Sequence, residues 1–134
     1  MVVVETIRDA MVPEPTTLSA GASAQDAGMC LGSAEVRAIF VTEDDGQLVG
    51  VLTRKTLVRE VVAAGLDPRT VALRDIAEPP HFTLGAGLGL EDGYRFLEEH
   101  DLERVPVVED GRLVGVLSRA VVKRRLAEDE ALED

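Results

Sequence analysis

The sequence predicts an α+β protein, locally α/β, made of two copies of one β-α-β-β-α unit. Three observations predict this fold. The chain repeats itself, each copy contains apolar residues at helical spacing, and each copy contains two strand candidates joined by a tight turn. A length of 134 residues suits one domain or two half-sized units that share a core.

The duplication can be followed residue by residue. Residues 7–11 (IRDAM) match residues 73–77 (LRDIA), and the same spacing aligns Thr17-Leu18 with Thr83-Leu84. The spacing shortens by one residue between EDDG (43–46) and EDG (109–111), after which LVGVL at 48–52 matches LVGVL at 113–117. A register that changes only where a turn is expected indicates a true repeat.

Each repeat contains the same order of predicted elements. In the first repeat these are an extended segment at 16–18, a helix over 23–34, strands over 37–42 and 47–52, and a helix over 54–64. In the second they are an extended segment at 82–84, a helix around 90–97, strands over 104–108 and 112–117, and a helix over 119–128. Asp110-Gly111 is a strong signal for a two-residue hairpin turn.

The predicted boundaries follow from the repeat. Repeat 1 spans 7–64, repeat 2 spans 73–128, a linker occupies 65–72, and an acidic tail covers 129–134. Gly65 is a natural stop for the helix before it. Neither half is large enough to cover both faces of its sheet. We therefore expect two halves related by a pseudo-twofold axis and packed through their sheets.

The composition excludes several classes of partner. A net charge of −11 makes nucleic acid and anionic membranes poor partners. The lone Cys30 fits a reducing compartment. Residues 1–7 are too short and too acidic for a signal peptide, and no apolar run reaches the roughly 18 residues of a membrane span. A cytoplasmic protein is expected.

The repeated residues resemble a tandem pair of CBS domains, the regulatory module named for cystathionine β-synthase. The resemblance is carried by the hydrophobic-Arg-Asp start before a proline, by Val105-Pro106-Val107-Val108, and by Leu-Val-Gly-Val-Leu followed by Thr53 or Ser118. It covers residues 7 to about 128. It implies a nucleotide-sensing or partner-regulating module, commonly a homodimer, with ligand clefts between the repeats and an effector protein that is reached in trans.

Two strand-to-helix junctions are the candidate binding sites. Thr53 and Ser118 each follow a strand and open a helix, where unpaired N–H groups and the helix dipole favour an anion such as phosphate. Arg54, Lys55 and Arg119 lie in the first helical turn, where the dipole alone disfavours a cation, so they are the phosphate candidates.

The resemblance implies further ligand residues. Adenine is expected near Val105-Pro106 or near the counterpart Ile39-Phe40, although the same residues suit ordinary sheet core, and Thr17 and Thr83 precede these positions in each repeat. Nucleotide-binding members usually carry an Asp three residues after the Thr or Ser. Here the two positions hold Thr56 and Val121. Thr56 retains a hydroxyl, whereas Val121 cannot form a hydrogen bond, so the first site keeps a more polar set than the second.

Other sequence features imitate functional sites but lack residues that those sites require. Gly85-Ala86-Gly87-Leu88-Gly89 imitates a dinucleotide-binding loop, but Leu90 stands where the third glycine belongs. His81, His100 and Cys30 lack metal-ligand spacing, so no metal or cofactor is expected beyond a regulatory adenosine nucleotide. No nucleophile or acid–base pair is recognisable, which favours a non-enzyme.

The sequence is compatible with two functions and predicts one oligomeric state. The first function is sensing of AMP, ADP, ATP or S-adenosylmethionine; the alternative is a ligand-free interaction or dimerisation scaffold that has lost the pocket. A homodimer is expected because apolar residues cover more than one face of the second helix of repeat 1, at Leu57, Val58, Val61 and Val62.

Overall fold

The computed structural model describes residues 5–13 and 15–133, with side chains described as far as residue 128. Within this part of the chain the protein is a mixed α+β fold with two sheets, as the sequence predicts. The chain divides into two compact units. Residues 15–81 form one, which we call the repeat-1 unit; residues 5–13 and 82–133 form the other, the repeat-2 unit.

The elements follow one another in the order that the repeat predicts, with short additions. In chain order they are α1 (Ile7–Ala10), β1 (Val12–Pro13), β2 (Thr17–Ser19), α2 (Ala24–Leu31), β3 (Ile39–Thr42), β4 (Leu48–Leu52), α3 (Arg54–Leu57, continued by a π-helical turn over Val58–Val62), α4 (Leu73–Ile76), β5 (Leu84–Gly85), α5 (Leu90–Glu99), β6 (Arg104–Glu109), β7 (Arg112–Ser118) and α6 (Arg119–Glu133).

The repeat-1 unit contains a three-stranded sheet in the order β2-β3-β4. β2 is parallel to β3, and β3 is antiparallel to β4. Ile39, Val41 and Leu52 are fully buried and pack with residues of α2 and α4 in one core. The segment after α4 runs antiparallel beside β4, where the backbone N–H and C=O of Glu78 pair with Val51 at 2.9 and 2.8 Å. Residues 73–81, which begin repeat 2 in the sequence, are therefore part of the repeat-1 unit.

The repeat-2 unit contains a four-stranded sheet in the order β1-β7-β6-β5. β1 adds to the sheet edge through antiparallel pairing of Val12 with Val116. Ile7 of α1 is fully buried in the same core as Leu97 and Leu117. The N-terminal segment thus completes the core and the sheet of the second repeat rather than those of the first.

Local capping explains where α2 begins and ends. The Ser23 hydroxyl accepts from the Asp26 N–H at 3.1 Å, and the Asp26 carboxylate accepts from the Ser23 N–H at 3.2 Å, which is a capping box. The helix ends at Leu31, earlier than the predicted residue 34. Gly32 follows at once, and glycine is a weak helix former.

The predicted hairpin of repeat 2 is confirmed. Asp110 has φ 53° and Gly111 has φ 80°, the two positive values that a type I′ turn requires. Gly65 has φ 71° and ends the helical segment of repeat 1, also as predicted. α6 continues to Glu133, beyond the predicted end at residue 128. Position 134, the last of the predicted tail, lies outside the described residues.

Candidate functional site

Thr53 occupies the strand-to-helix junction of the repeat-1 unit. It is the N-cap of α3, with φ −124° and ψ 170°, and its hydroxyl accepts from the Thr56 N–H at 3.4 Å. The two hydroxyl oxygens lie 3.1 Å apart, so one donates to the other. Thr56 is 1% exposed, which places its hydroxyl inside the unit. The Thr53–Thr56 pair therefore stabilises the start of the helix and carries no charge.

Arg54 and Lys55 supply the positive charge at this junction. The Arg54 side chain donates through Nη2 to the backbone oxygen of Ser33 at 2.7 Å, which holds the guanidinium near the end of α2. Its partner is a neutral carbonyl, and within the described residues no carboxylate lies within ion-pair distance of Arg54 or Lys55. Both cations are exposed at the surface. The first turn of α3 is thus electrostatically suited to an anion.

The sheet of the repeat-1 unit places other predicted residues near each other. Thr17 pairs with Phe40, and Phe40 pairs with Val51, so these three residues form one row across the sheet. Thr17 is exposed and Phe40 is 9% exposed. Ile39, by contrast, belongs to the buried core. An aromatic ring and a hydroxyl consequently lie in one row of the strands, whereas Ile39 has a structural role.

The junction of the repeat-2 unit is built differently. Ser118 ends β7 and is half-buried, and Arg119 begins α6. Arg119 Nη1 lies 3.2 Å from Asp101 Oδ1 and 3.9 Å from Glu103 Oε1. These carboxylates compensate the charge of Arg119. Val121, at the position equivalent to Thr56, is half-buried and apolar. This junction is less suited to an anion than the first.

The remaining predicted residues of the repeat-2 unit are mostly interior. Val105 is 1% exposed and pairs with Leu117, and Pro106 is buried and pairs with Val116. Thr83 is exposed and directly precedes β5. Ser118 and Arg119 lie together only because they are consecutive in the chain. Val105 lies in the hydrophobic core.

An aromatic cluster in the repeat-2 unit was not predicted. The ring of His100 lies 4.6 Å from that of Phe82 and 4.3 Å from that of Phe96, and the two phenylalanine rings pack edge to face at 5.3 Å. His100 is exposed, as the sequence predicts, and its ring packs against both phenylalanine rings at interplanar angles of 40° and 44°. The equivalent positions in repeat 1 hold Thr16, Cys30 and Ala34, so comparison of the two repeats could have revealed the cluster.

Arg59 links the helical segment of repeat 1 to the segment that follows α4. Its side chain donates to Glu60 at 2.9 Å and to Glu78, which lies in the segment that runs antiparallel beside β4. These hydrogen bonds, donated to Glu60 first and Glu78 second, raise the pKa of the Arg59 guanidinium above its usual value. Arg59 is therefore engaged in holding the unit together rather than available for a ligand.

The described part of the chain offers no metal site, no membrane-spanning helix and no dinucleotide-binding loop on a central strand. The described side chains, at residues 5–13 and 15–128, include no group of three His, Cys, Asp or Glu placed to hold a metal ion. The described residues also contain no helix that is long and apolar enough to span a membrane. Gly85 ends a two-residue strand at the edge of the sheet, and Gly87 and Gly89 follow it; a dinucleotide-binding loop follows a central strand instead.

Comparison with known proteins gives the same assignment for both halves of the chain. The sequence profile of the CBS domain matches residues 7–63 and 73–128. Hypoxic response protein 1 of Mycobacterium tuberculosis is 31% identical over 123 residues, which cover 92% of this chain and 86% of that protein. The CBS domain-containing protein YhcV of Bacillus subtilis is 27% identical, over 84% of this chain and 79% of that protein.

Two solved structures have the same fold as this chain. The crystal structure of hypoxic response protein I with two coordinated zinc ions superposes with a TM-score of 0.76 at 30% identity, covering 90% of this chain and 98% of that one. CBSX2 in complex with AMP gives a TM-score of 0.73 at 27% identity, covering 93% and 98%. The duplicated fold, the two junctions and these matches show that the chain belongs to the CBS domain family and carries two CBS domains.

Proposed function

We propose that this protein is a regulatory module that binds an adenosine-type nucleotide and acts on a partner protein in trans. The class of ligand is AMP, ADP, ATP or S-adenosylmethionine. The observation that carries the proposal is the pair of cations, Arg54 and Lys55, that no described carboxylate compensates at a strand-to-helix junction. The similarity to CBSX2, which was crystallised with AMP, supports an adenosine ligand.

We place the phosphate of the nucleotide at the strand-to-helix junction of repeat 1. Arg54 is held by a carbonyl and keeps its full charge, whereas Arg119 is paired with Asp101 and Glu103. Exposed ion pairs such as these contribute about 0.2–1 kcal/mol, so displacing them lowers phosphate affinity at the second junction by at most about fivefold. Thr17 and Phe40, which lie in one row of the same sheet, are proposed to contact the nucleoside.

One observation favours a second function, a scaffold that binds other proteins and no nucleotide. Thr56 stands where nucleotide-binding members usually carry Asp, and its hydroxyl is buried and bonded to Thr53. Under this alternative the protein gives no response to nucleotides, and substitution of Thr56 by Asp leaves that result unchanged. Nucleotide binding that appears only in Thr56→Asp would show that the rest of the pocket persists.

The proposed module is non-enzymatic, cytoplasmic and homodimeric. The stand-alone relatives match this chain over most of their own length, which supports regulation without an attached catalytic domain. For the dimer, the structure revises the surface predicted from the sequence. Val61 is 3% exposed and faces its own core, whereas Val58 and Val62 are 57% and 71% exposed. The exposed pair is proposed to lie in the interface.

A thermal-unfolding panel tests the proposal. The protein is heated with millimolar AMP, ADP, ATP or S-adenosylmethionine, and with GMP and GTP as matched controls that carry the same phosphates. A ligand at one hundred times its Kd stabilises the native state by about 2.7 kcal/mol, which is a rise of roughly 10 °C in Tm. A rise with an adenosine compound and not with its guanosine counterpart supports the proposal. No rise with any compound contradicts it.

A further inference from the structure

The aromatic cluster of the repeat-2 unit, formed by Phe82, Phe96 and His100, lies partly at the surface. Phe82 is 36% exposed, His100 is exposed and Phe96 is half-buried. The ring centroids are 4.3–5.3 Å apart, so each ring contacts the other two. Phe96 also packs against the core of the unit, and it therefore anchors the two more exposed rings at the surface.

The fold itself does not require these rings. The equivalent positions of repeat 1 hold Thr16, Cys30 and Ala34, yet the repeat-1 unit contains the corresponding strands and helices. The whole chain has three Phe, one Tyr and no Trp, and two of the phenylalanines are gathered here. Aromatic side chains that are exposed together commonly mark a surface that another protein covers.

Negative charge borders the rings. Glu99 lies three residues after Phe96 on α5, so the two side chains share one side of the helix. Glu99 is exposed, and no cation among the described side chains lies within ion-pair distance of it. Asp92, four residues before Phe96 on the same side, lies 3.6 Å from Arg95, and both side chains are exposed, so that ion pair is weak.

The combination of aromatic rings and a carboxylate without a described counterion favours a cationic partner. Ring faces attract cations, and an arginine side chain can lie flat on a ring while it donates hydrogen bonds to a carboxylate. The ammonium group of lysine is a compact, strongly hydrated charge and matches this surface less well. The net charge of −11 repels an acidic segment and attracts a basic one.

We propose that the aromatic cluster and Glu99 form a docking surface for an arginine-containing segment of a partner protein. The guanidinium group lies against the exposed rings and donates to the Glu99 carboxylate. The surface belongs to the repeat-2 unit and uses neither Arg54 nor Lys55. The inference rests on the proposed function only for the existence of a partner protein, and it adds where that partner docks and which chemistry it presents.

A fluorescently labelled peptide of alternating arginine and glycine is the probe. Fluorescence anisotropy during titration with the full chain gives its Kd, and a second peptide, with lysine in place of arginine, matches its charge. We expect saturable binding of the arginine peptide with a Kd below about 1 mM, and binding of the lysine peptide that is weaker by about threefold or more. The inference is overturned if the arginine peptide shows no saturable binding or if the two peptides bind equally.

Substitutions locate the peptide on the protein. Glu99→Gln is expected to raise the Kd of the arginine peptide about two- to fivefold. Phe96→Leu keeps an apolar side chain against the core but removes the ring, and a similar increase of about two- to fivefold is expected. Phe82→Leu removes a ring at a more exposed position and provides the same test if Phe96→Leu does not fold. Circular dichroism checks the fold of each variant.

Glu98→Gln is the matched control for Glu99→Gln. Both changes remove one exposed carboxylate from α5, but Glu98 lies two residues after Phe96 and faces another side of the helix. Glu98→Gln is expected to change the Kd less than about 1.5-fold. Equal weakening by Glu98→Gln and Glu99→Gln would show that the overall charge of the protein attracts the peptide, and would refute the docking surface.

The result is independent of the nucleotide proposal. If the arginine peptide binds as described but no adenosine compound raises the Tm, the nucleotide proposal fails and the docking surface stands. If an adenosine compound raises the Tm but the arginine peptide does not bind, the docking surface fails and the nucleotide proposal stands.

Discussion

The carbonyl oxygen of Glu78 lies so close to Gly50 that a Cβ on the glycine would stand 2.5 Å from it. The segment after α4 runs antiparallel beside β4 at this point, and Glu78 pairs with the backbone of Val51. Repeat 2 has the same arrangement at Gly115, where a Cβ would stand 2.7 Å from Met11 Sδ and 2.9 Å from the oxygen of Val12. The glycine of each LVGVL sequence thus lets a neighbouring segment pair closely with the strand.

We expect Gly50→Ala to destabilise the protein by about 1–3 kcal/mol, because the new methyl group meets backbone atoms that cannot rotate away. Chemical denaturation measures the change. Gly28→Ala is the matched control, since it adds the same methyl group where no heavy atom lies within 4 Å, in the interior of α2. The control is expected to stabilise the protein by up to about 1 kcal/mol. Equal effects in the two variants would contradict the packing argument.

Loss of the Thr53 cap is expected to lower the free energy of unfolding. Thr53→Ala removes the acceptor for the Thr56 N–H and leaves the buried Thr56 hydroxyl without its partner. The expected cost is about 1–2 kcal/mol. Thr53→Ser should restore most of it. Ser118→Ala provides the comparison in repeat 2 and is expected to cost less than about 0.5 kcal/mol. A larger loss in Ser118→Ala than in Thr53→Ala would be inconsistent with the geometry described.

The two junctions are expected to differ in nucleotide binding. Arg54→Gln removes a cation without a carboxylate partner and should weaken AMP binding by about tenfold or more. Arg119→Gln removes a cation already paired with Asp101 and should change the affinity less than threefold. Isothermal titration calorimetry gives both values. The assignment of the phosphate to repeat 1 is refuted if Arg119→Gln proves the more damaging substitution.

Asp67 is expected to titrate below its ordinary pKa of 3.8, because hydrogen bonds from the Arg69 side chain and then its backbone N–H favour the carboxylate. A lowered folded pKa adds stability that is present above the unfolded pKa and is lost as pH falls through the folded one. NMR titration of the Asp67 carboxyl carbon measures this directly. Arg69→Gln should move the pKa upward. An unchanged pKa in that variant would exclude the side-chain bond as the cause.

Much of the fold was predictable because each local sequence pattern occurs in both repeats, so the two copies support the same assignment of helices and strands. Apolar spacing and hairpin signals located the helices and strands to within a few residues. The sequence did not predict that residues 5–13 would join the second repeat. That placement depends on burial of Ile7 and on pairing of Val12 with Val116, both of which bring together residues distant in the chain.

The site was predictable only in part. Thr53 as an N-cap follows from its position between a strand and a helix. The pairing of Arg119 with Asp101 was not evident, because it depends on a turn that brings residue 101 beside the start of α6. Burial of Thr56 was likewise not evident, since a threonine in the first turn of a helix suits either solvent or core. These contacts are tertiary, and local pattern does not encode them.

The most direct measurement of the central claim is an AMP titration of the ¹⁵N-labelled protein followed through its backbone amide signals. We expect saturable shifts concentrated at Arg54, Lys55 and Thr56, with smaller changes at the equivalent positions Arg119 to Val121. Saturable shifts confined to the repeat-2 junction, or no saturable shifts with millimolar AMP, ATP or S-adenosylmethionine, would contradict it.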